Sequence, residues 1–120
     1  MEAFERLKEI QSLFDDIMKQ KSDVGKDYSQ LVDRIISSGS IPQKYKELIF
    51  VALSLAKKCE WCLSYHLRKA VESGVTYDEL IEVAFISFLM DGTPSLMESI
   101  KMKDFYSDLV NAGDIKRRDD

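Results

Sequence analysis

The stretch "ESGVTYDELIEVAFISFLMDGTP", residues 72–94, carries a helix end, a helix start and a second helix end in close succession. Gly74 can take the left-handed conformation that closes a helix. Thr76 and Glu79 have the spacing of a capping box, in which each side chain satisfies a backbone N–H of the other's turn. The apolar run "VAFISFLM" (83–90) follows without a break, and Gly92 closes it. Thr93 and Pro94 then suit the opening of another helix, with Thr93 as N-cap.

Reading outward, the same logic holds along the chain. Phe4, Leu7, Ile10, Leu13, Phe14, Ile17 and Met18 recur at spacings of three and four, which marks one apolar helical face. A second helix is predicted over about 25–38, carrying Leu31, Val32, Ile35 and Ile36 and stopping at Gly39. Pro42 suits the first turn of a third, "QKYKELIFVALSLAKK" (43–58). A fourth starts near Cys59, a fifth runs from the capping box to Gly92, and a sixth carries Leu96, Ile100, Met102, Phe105, Tyr106 and Leu109. No stretch alternates with period two for long enough to require a strand. The prediction is an all-α bundle of about six helices in a single domain over residues 1–120, with 114–120 as a flexible tail.

Composition narrows the function classes. Apolar residues make up 45% and charged residues 32%, as in ordinary globular domains. A net charge of −4 excludes the clustered basic excess of a nucleic-acid binder. The apolar runs at 48–56 and 83–90 fall short of the ~20 residues of a membrane span. The amphipathic start "MEAFERLKEI" has no signal-peptide core, so the expected compartment is the cytosol. Two segments, 48–56 and 80–90, are apolar on nearly all sides. A domain of this size encloses about one such helix, so the second predicts burial against another copy and hence a homo-oligomer.

Both cysteines and the only histidine fall within "KKCEWCLSYH" (57–66). On a helix Cys59, Cys62 and His66 share one face, so the sulfurs can meet and His66 stands one turn beyond Cys62. A helix N-terminus and the adjacent Lys57 and Lys58 favour thiolate. In a reducing compartment a C-x-x-C is more often catalytic or metal-binding than a structural staple. If the third and fourth helices pack antiparallel, Glu47 approaches His66 and a Glu–His–Cys proton relay is possible.

The combined pattern Glu47-x11-Cys59-x2-Cys62-x3-His66 resembles the redox motif of the carboxymuconolactone decarboxylase/alkylhydroperoxidase D superfamily. The flanks "KELIFVALSLAKKCEWCLSYH" (46–66) and "AVESGVTYDELIEVAFI" (70–86) are similar to that family's segments. The resemblance implies a helical subunit that forms trimers or hexamers and reduces peroxides or disulfides, with peroxiredoxin activity. It implies Cys62 as the attacking cysteine, Cys59 as proton donor and resolving partner, and Glu47 with His66 as relay. It implies no flavin, haem or metal cofactor, and an external dithiol, lipoyl or thioredoxin-like, as reductant. Helix-dipole reasoning alone favours Cys59 as the better thiolate, whereas the position of His66 one turn from Cys62 agrees with the family.

The chain departs from that pattern at Trp61, where a branch of the family has a second relay histidine, and at Tyr65, where a small residue is common. Trp61 is expected to pack against a neighbouring helix or subunit. Family members that act as γ-carboxymuconolactone decarboxylases work without the cysteine pair, so that activity is disfavoured. The same residues also leave open a zinc site on Cys59, Cys62, His66 and Glu47, a non-catalytic oligomeric module, and a redox sensor that uses the same thiols.

Overall fold

Local signals written into the chain account for the boundaries around its fourth and fifth helices. Thr76 Oγ1 accepts the Glu79 N–H at 3.1 Å and Glu79 Oε1 accepts the Thr76 N–H at 2.9 Å, closing the predicted capping box. Gly74 takes φ +95° just past the preceding helix, as its C-terminal closure requires. In a computed structural model that describes residues 2–37 and 39–112, the chain forms seven helices and, among those residues, no strand. They are α1 (Glu2–Gln20), α2 (Ser22–Ser37), α3 (Gln43–Lys57), α4 (Glu60–Glu72), α5 (Tyr77–Asp91), α6 (Thr93–Met97) and α7 (Ser99–Asn111). The predicted tail at 114–120 lies outside the described residues.

The all-α expectation holds, and the sixth predicted helix is present in two pieces. Helices α6 and α7 occupy it, with Glu98, still helical at φ −62° and ψ −19°, between them. Two predicted caps are corrected. Gly92, not Thr93, precedes α6: its φ of +92° turns the chain, so Thr93 already lies inside the helix. Pro42 stands just outside α3 with ψ 149°, an extended value that a residue inside the first turn does not have.

Helix α3 is the centre of the packing, lying against both α4 and α5, while α1 crosses α4 and α7. Val51 and Leu55 of α3, Leu63 and Leu67 of α4, Leu80 of α5 and Phe105 of α7 are fully or almost fully buried. Burying each such side chain contributes roughly 1.5–3 kcal/mol before entropy is counted. The first turn of α1 is fastened to α7 by the Ala3 N–H, which donates to Asp108 Oδ2 at 3.1 Å.

Helix α2 behaves differently. It packs chiefly on α1 and buries only Gly25, whose missing Cβ would stand 2.5 Å from Met18 Sδ. Its apolar residues are therefore not spent on the core. The two strongly apolar helices also keep exposed faces: α3 presents Ile49 and Leu53, and α5 presents Phe85 and Ile86 with Leu89 at 82% and Met90 at 90% exposure. Neither helix is enclosed within one chain.

Removing the capping box should be measurable. Thr76→Ala should cost about 1 kcal/mol, lowering the midpoint of thermal unfolding by roughly 3–6 °C. The Glu79 carboxyl is held below its ordinary value chiefly by the Thr76 N–H, with the Lys44 ammonium 3.2 Å away. A depressed carboxyl stabilises the fold above its unfolded value and loses that contribution as pH falls through the folded one. Stability should therefore drop as pH decreases below about 4.5, and Glu79→Gln should flatten that drop in thermal melts taken across the range.

Candidate functional site

The turn between α3 and α4 sets the site. Lys58 adopts the left-handed conformation, φ 56°, and its N–H closes α3 on Leu55. The chain reverses, and Cys59 becomes the N-cap of α4, with its Sγ accepting the Cys62 N–H at 3.1 Å. The two cysteines are joined in a disulfide, their Cα atoms 5.3 Å apart. Cys62 thus sits in the first turn of α4, facing outward, while Cys59 is half-buried beneath it.

Because α4 returns along α3, residues far from the turn in each helix meet. Glu47, fully buried in α3, contacts His66, with Oε1 2.9 Å from Nδ1. A carboxylate only accepts hydrogen bonds, so this contact keeps a proton on Nδ1 and makes Nε2 the basic nitrogen of the neutral ring. Among the described residues no donor reaches the other oxygen, Oε2, which is also buried. A buried carboxylate with half its hydrogen-bonding capacity unused is costly for a fold. Among the described residues its partner is the imidazole, a contact that holds the ring in place.

Two aromatic residues complete the setting of His66. Phe50, one turn after Glu47 in α3, stacks on the imidazole at 4.2 Å between ring centres with planes 8° apart. Tyr65 meets the same ring edge-on at 5.1 Å. Burial, and next the nearby Glu47 charge, push the Tyr65 phenol up, so it stays protonated at neutral pH. The sequence by itself points to neither stacking contact. Phe50 is readable in principle, because its spacing of three from Glu47 puts it on the same helical face.

Trp61 lies between the cysteines and is 46% exposed. Its packing is against α1, as expected for a neighbouring helix: Nε1–H donates to Glu9 Oε1 at 3.2 Å, and the Arg6 guanidinium lies 5.6 Å from the ring centre. Arg6 is itself held by Glu9 and Glu60.

These side chains open onto a cavity of about 680 Å³. Phe50, Trp61, Cys62, Tyr65 and His66 form one wall. The α1–α2 hairpin forms the other, with Ile10 and Phe14 from α1 and Leu31, Val32 and Ile35 from α2. Cys62 lines this space and Cys59 does not. The structure therefore brings together Glu47 and His66, puts His66 and Cys62 on one cavity wall, and keeps Cys59 behind. Among the described residues no cluster of three His, Cys, Asp or Glu side chains is arranged to hold a metal ion. Nor is any helix among them long and apolar enough to cross a membrane.

Known proteins resemble this chain in sequence or in fold. An uncharacterised protein of Cupriavidus necator is 31% identical over 107 residues, covering 89% of this chain and 94% of its own length. The crystal structure of a carboxymuconolactone decarboxylase family protein of Legionella pneumophila superposes with a TM-score of 0.84 at 27% identity, over 89% of this chain and 96% of that one. A family protein of Thermotoga maritima, for which a part in the antioxidative response has been suggested, has the same fold. Its TM-score is 0.78 at 20% identity, over 92% of this chain and 93% of that one. Residues 22–102, from the start of α2 into α7, match the family pattern. With that match spanning the α3–α4 turn, the Cys59–Cys62 pair and the capping box of α5, the chain belongs to the carboxymuconolactone decarboxylase family.

Proposed function

We propose that the protein is a thiol oxidoreductase of the alkylhydroperoxidase D type, which reduces peroxides through Cys62 and Cys59. The observation that carries this reading is the joint presence of Cys62 and His66 on one cavity wall, with His66 held from behind by the buried Glu47.

In the reduced protein His66 Nε2 takes the proton from Cys62, and the charge this places on the ring is balanced by the Glu47 carboxylate. The Cys62 thiolate attacks the outer oxygen of a hydroperoxide. The O–O bond breaks, the outer oxygen stays on sulfur as a sulfenic acid, and the inner oxygen leaves as an alkoxide that takes up a proton to give the alcohol. The Cys59 thiol then displaces water from the sulfenic acid and closes the disulfide. Two electrons have passed from the cysteine pair to the peroxide. An external dithiol returns them by thiol–disulfide exchange and is itself oxidised to a disulfide. Such a cycle requires a thiol-reducing compartment, which agrees with the cytosol.

Decarboxylation is less well supported. A decarboxylase has to hold its acid substrate, and the described cavity wall contains no lysine or arginine. The exposed apolar faces of α3 and α5 support self-association into the trimers or hexamers typical of this type of enzyme.

Cys62→Ser should abolish peroxide consumption in the presence of a dithiol. Cys59→Ser should stop the cycle at a sulfenic acid that a dimedone-type trap captures. Glu47→Gln should slow turnover by roughly 10²–10⁴-fold, the range for loss of acid–base catalysis. An unchanged rate in Glu47→Gln would remove the relay from the mechanism. For the assembly, Met90→Asp, at a side chain 90% exposed in the single chain, should convert the oligomer to monomers in sedimentation velocity.

A further inference from the structure

The cavity is far larger and far more apolar than peroxide chemistry by itself requires. Its volume is about 680 Å³, against ~30 Å³ occupied by one molecule of liquid water. Hydrogen peroxide, with two heavy atoms, would leave nearly all of it unfilled. The wall opposite Cys62 is aliphatic and aromatic throughout, with Ile10 and Phe14 from α1 and Leu31, Val32 and Ile35 from α2. Among the described residues no charged lysine, arginine, aspartate or glutamate lines it. The cations that lie over Trp61 and Tyr65 are already paired: Arg6 with Glu9 and Glu60, and Lys69 with Glu72.

Helix α2 points the same way. An amphipathic helix normally spends its apolar face on the core, yet α2 buries only Gly25 and turns Leu31, Val32 and Ile35 to the cavity. Helix α1, which supplies the rest of that wall, lies outside the residues that match the family, so its share of the wall cannot be read off the family pattern.

We infer that the α1–α2 hairpin forms a binding site for a long, uncharged aliphatic chain, and that the substrate carries its hydroperoxide at the end of that chain, against Cys62. The second part rests on the peroxidase reading above. Each methylene moved from water into such a site strengthens binding by up to roughly fourfold. A terminal carboxylate would find no lysine or arginine on the wall, and the His66 ring is already paired with Glu47, so such a group weakens binding.

Trp61 is the only tryptophan and lines the cavity, so its fluorescence reports occupancy without any turnover. The full-length protein is titrated with 1-butanol, 1-hexanol, 1-octanol and 1-decanol, which resemble the alcohol product, and with decanoate at pH 8. The expected result is saturable binding that tightens severalfold with each pair of methylenes, with decanoate at least tenfold weaker than decanol. Ile35→Glu, at a half-exposed position whose side chain lines the cavity, should weaken decanol binding at least tenfold while circular dichroism stays unchanged. Absence of saturable decanol binding, or equal affinity for decanoate, overturns the inference. So does a cavity filled by a second copy, seen as dissociation of Ile35→Glu to monomers together with no decanol binding to the native protein.

Turnover is then compared for hydrogen peroxide and a ten-carbon hydroperoxide. A kcat/KM at least tenfold higher for the long chain supports the whole proposal. Decanol binding without reduction of any peroxide keeps the site and removes the peroxidase reading. Equal kcat/KM for both peroxides without decanol binding keeps the peroxidase reading and removes the site.

Discussion

The contact between Glu47 and His66 is the constraint around which the structure is arranged. A carboxylate enclosed at 0% exposure is expensive, and one imidazole nitrogen at 2.9 Å is the hydrogen-bond partner it has among the described residues. For the two groups to meet, α4 must run back along α3, which requires the left-handed turn at Lys58 and the N-cap at Cys59. Cys62 is thereby carried into the first turn of α4, on the same cavity wall as His66. Replacing such a buried pair as a whole by well-packed apolar residues is often neutral or stabilising. The arrangement therefore makes sense in terms of what the oriented ring does, with Phe50 and Tyr65 bracing it on two further sides.

Features governed by short-range chemistry were legible in the chain. The capping box, the positive φ at Gly74 and the apolar periodicity are settled within one or two helical turns. The approach of Glu47 to His66 could be drawn because a tight turn between two helices leaves little choice but an antiparallel return. What escaped depends on the angle at which distant helices cross. The contact of Trp61 with Glu9 links residues 52 apart in sequence. The cavity itself exists only because α1 and α2 close over α4. The periodicity of α2 revealed an apolar face without revealing that this face meets a space instead of the core. The same limit explains the last helix: nothing in its pattern distinguishes one continuous segment from two joined at Glu98.

Stability and chemistry are thus assigned to different parts of the molecule. Buried side chains of α3, α4, α5 and α7 make a conventional core, and the site is held on the two helices most deeply anchored in it. The α1–α2 hairpin contributes little to that core beyond the first turns of α1, and so its side chains can vary without unfolding the domain. Rigid elements hold the reactive groups while a peripheral hairpin shapes the space in front of them.

The cap at Cys59 gives the proposed disulfide a direction. When an incoming thiolate attacks one sulfur of a disulfide, the other departs, and it departs faster the better its negative charge is stabilised. Cys62 faces the cavity, whereas Cys59 lies half-buried at the N-terminus of α4, where the Cys62 N–H already points at its sulfur. The helix dipole lowers the cost of a thiolate there. In the proposed cycle an external dithiol would therefore attach to Cys62 and expel Cys59, so that the sulfur that met the peroxide is also the one that meets the reductant. The helix-dipole preference for Cys59 and the family's preference for Cys62 then describe two halves of one cycle: one cysteine is the better leaving group, the other the accessible electrophile.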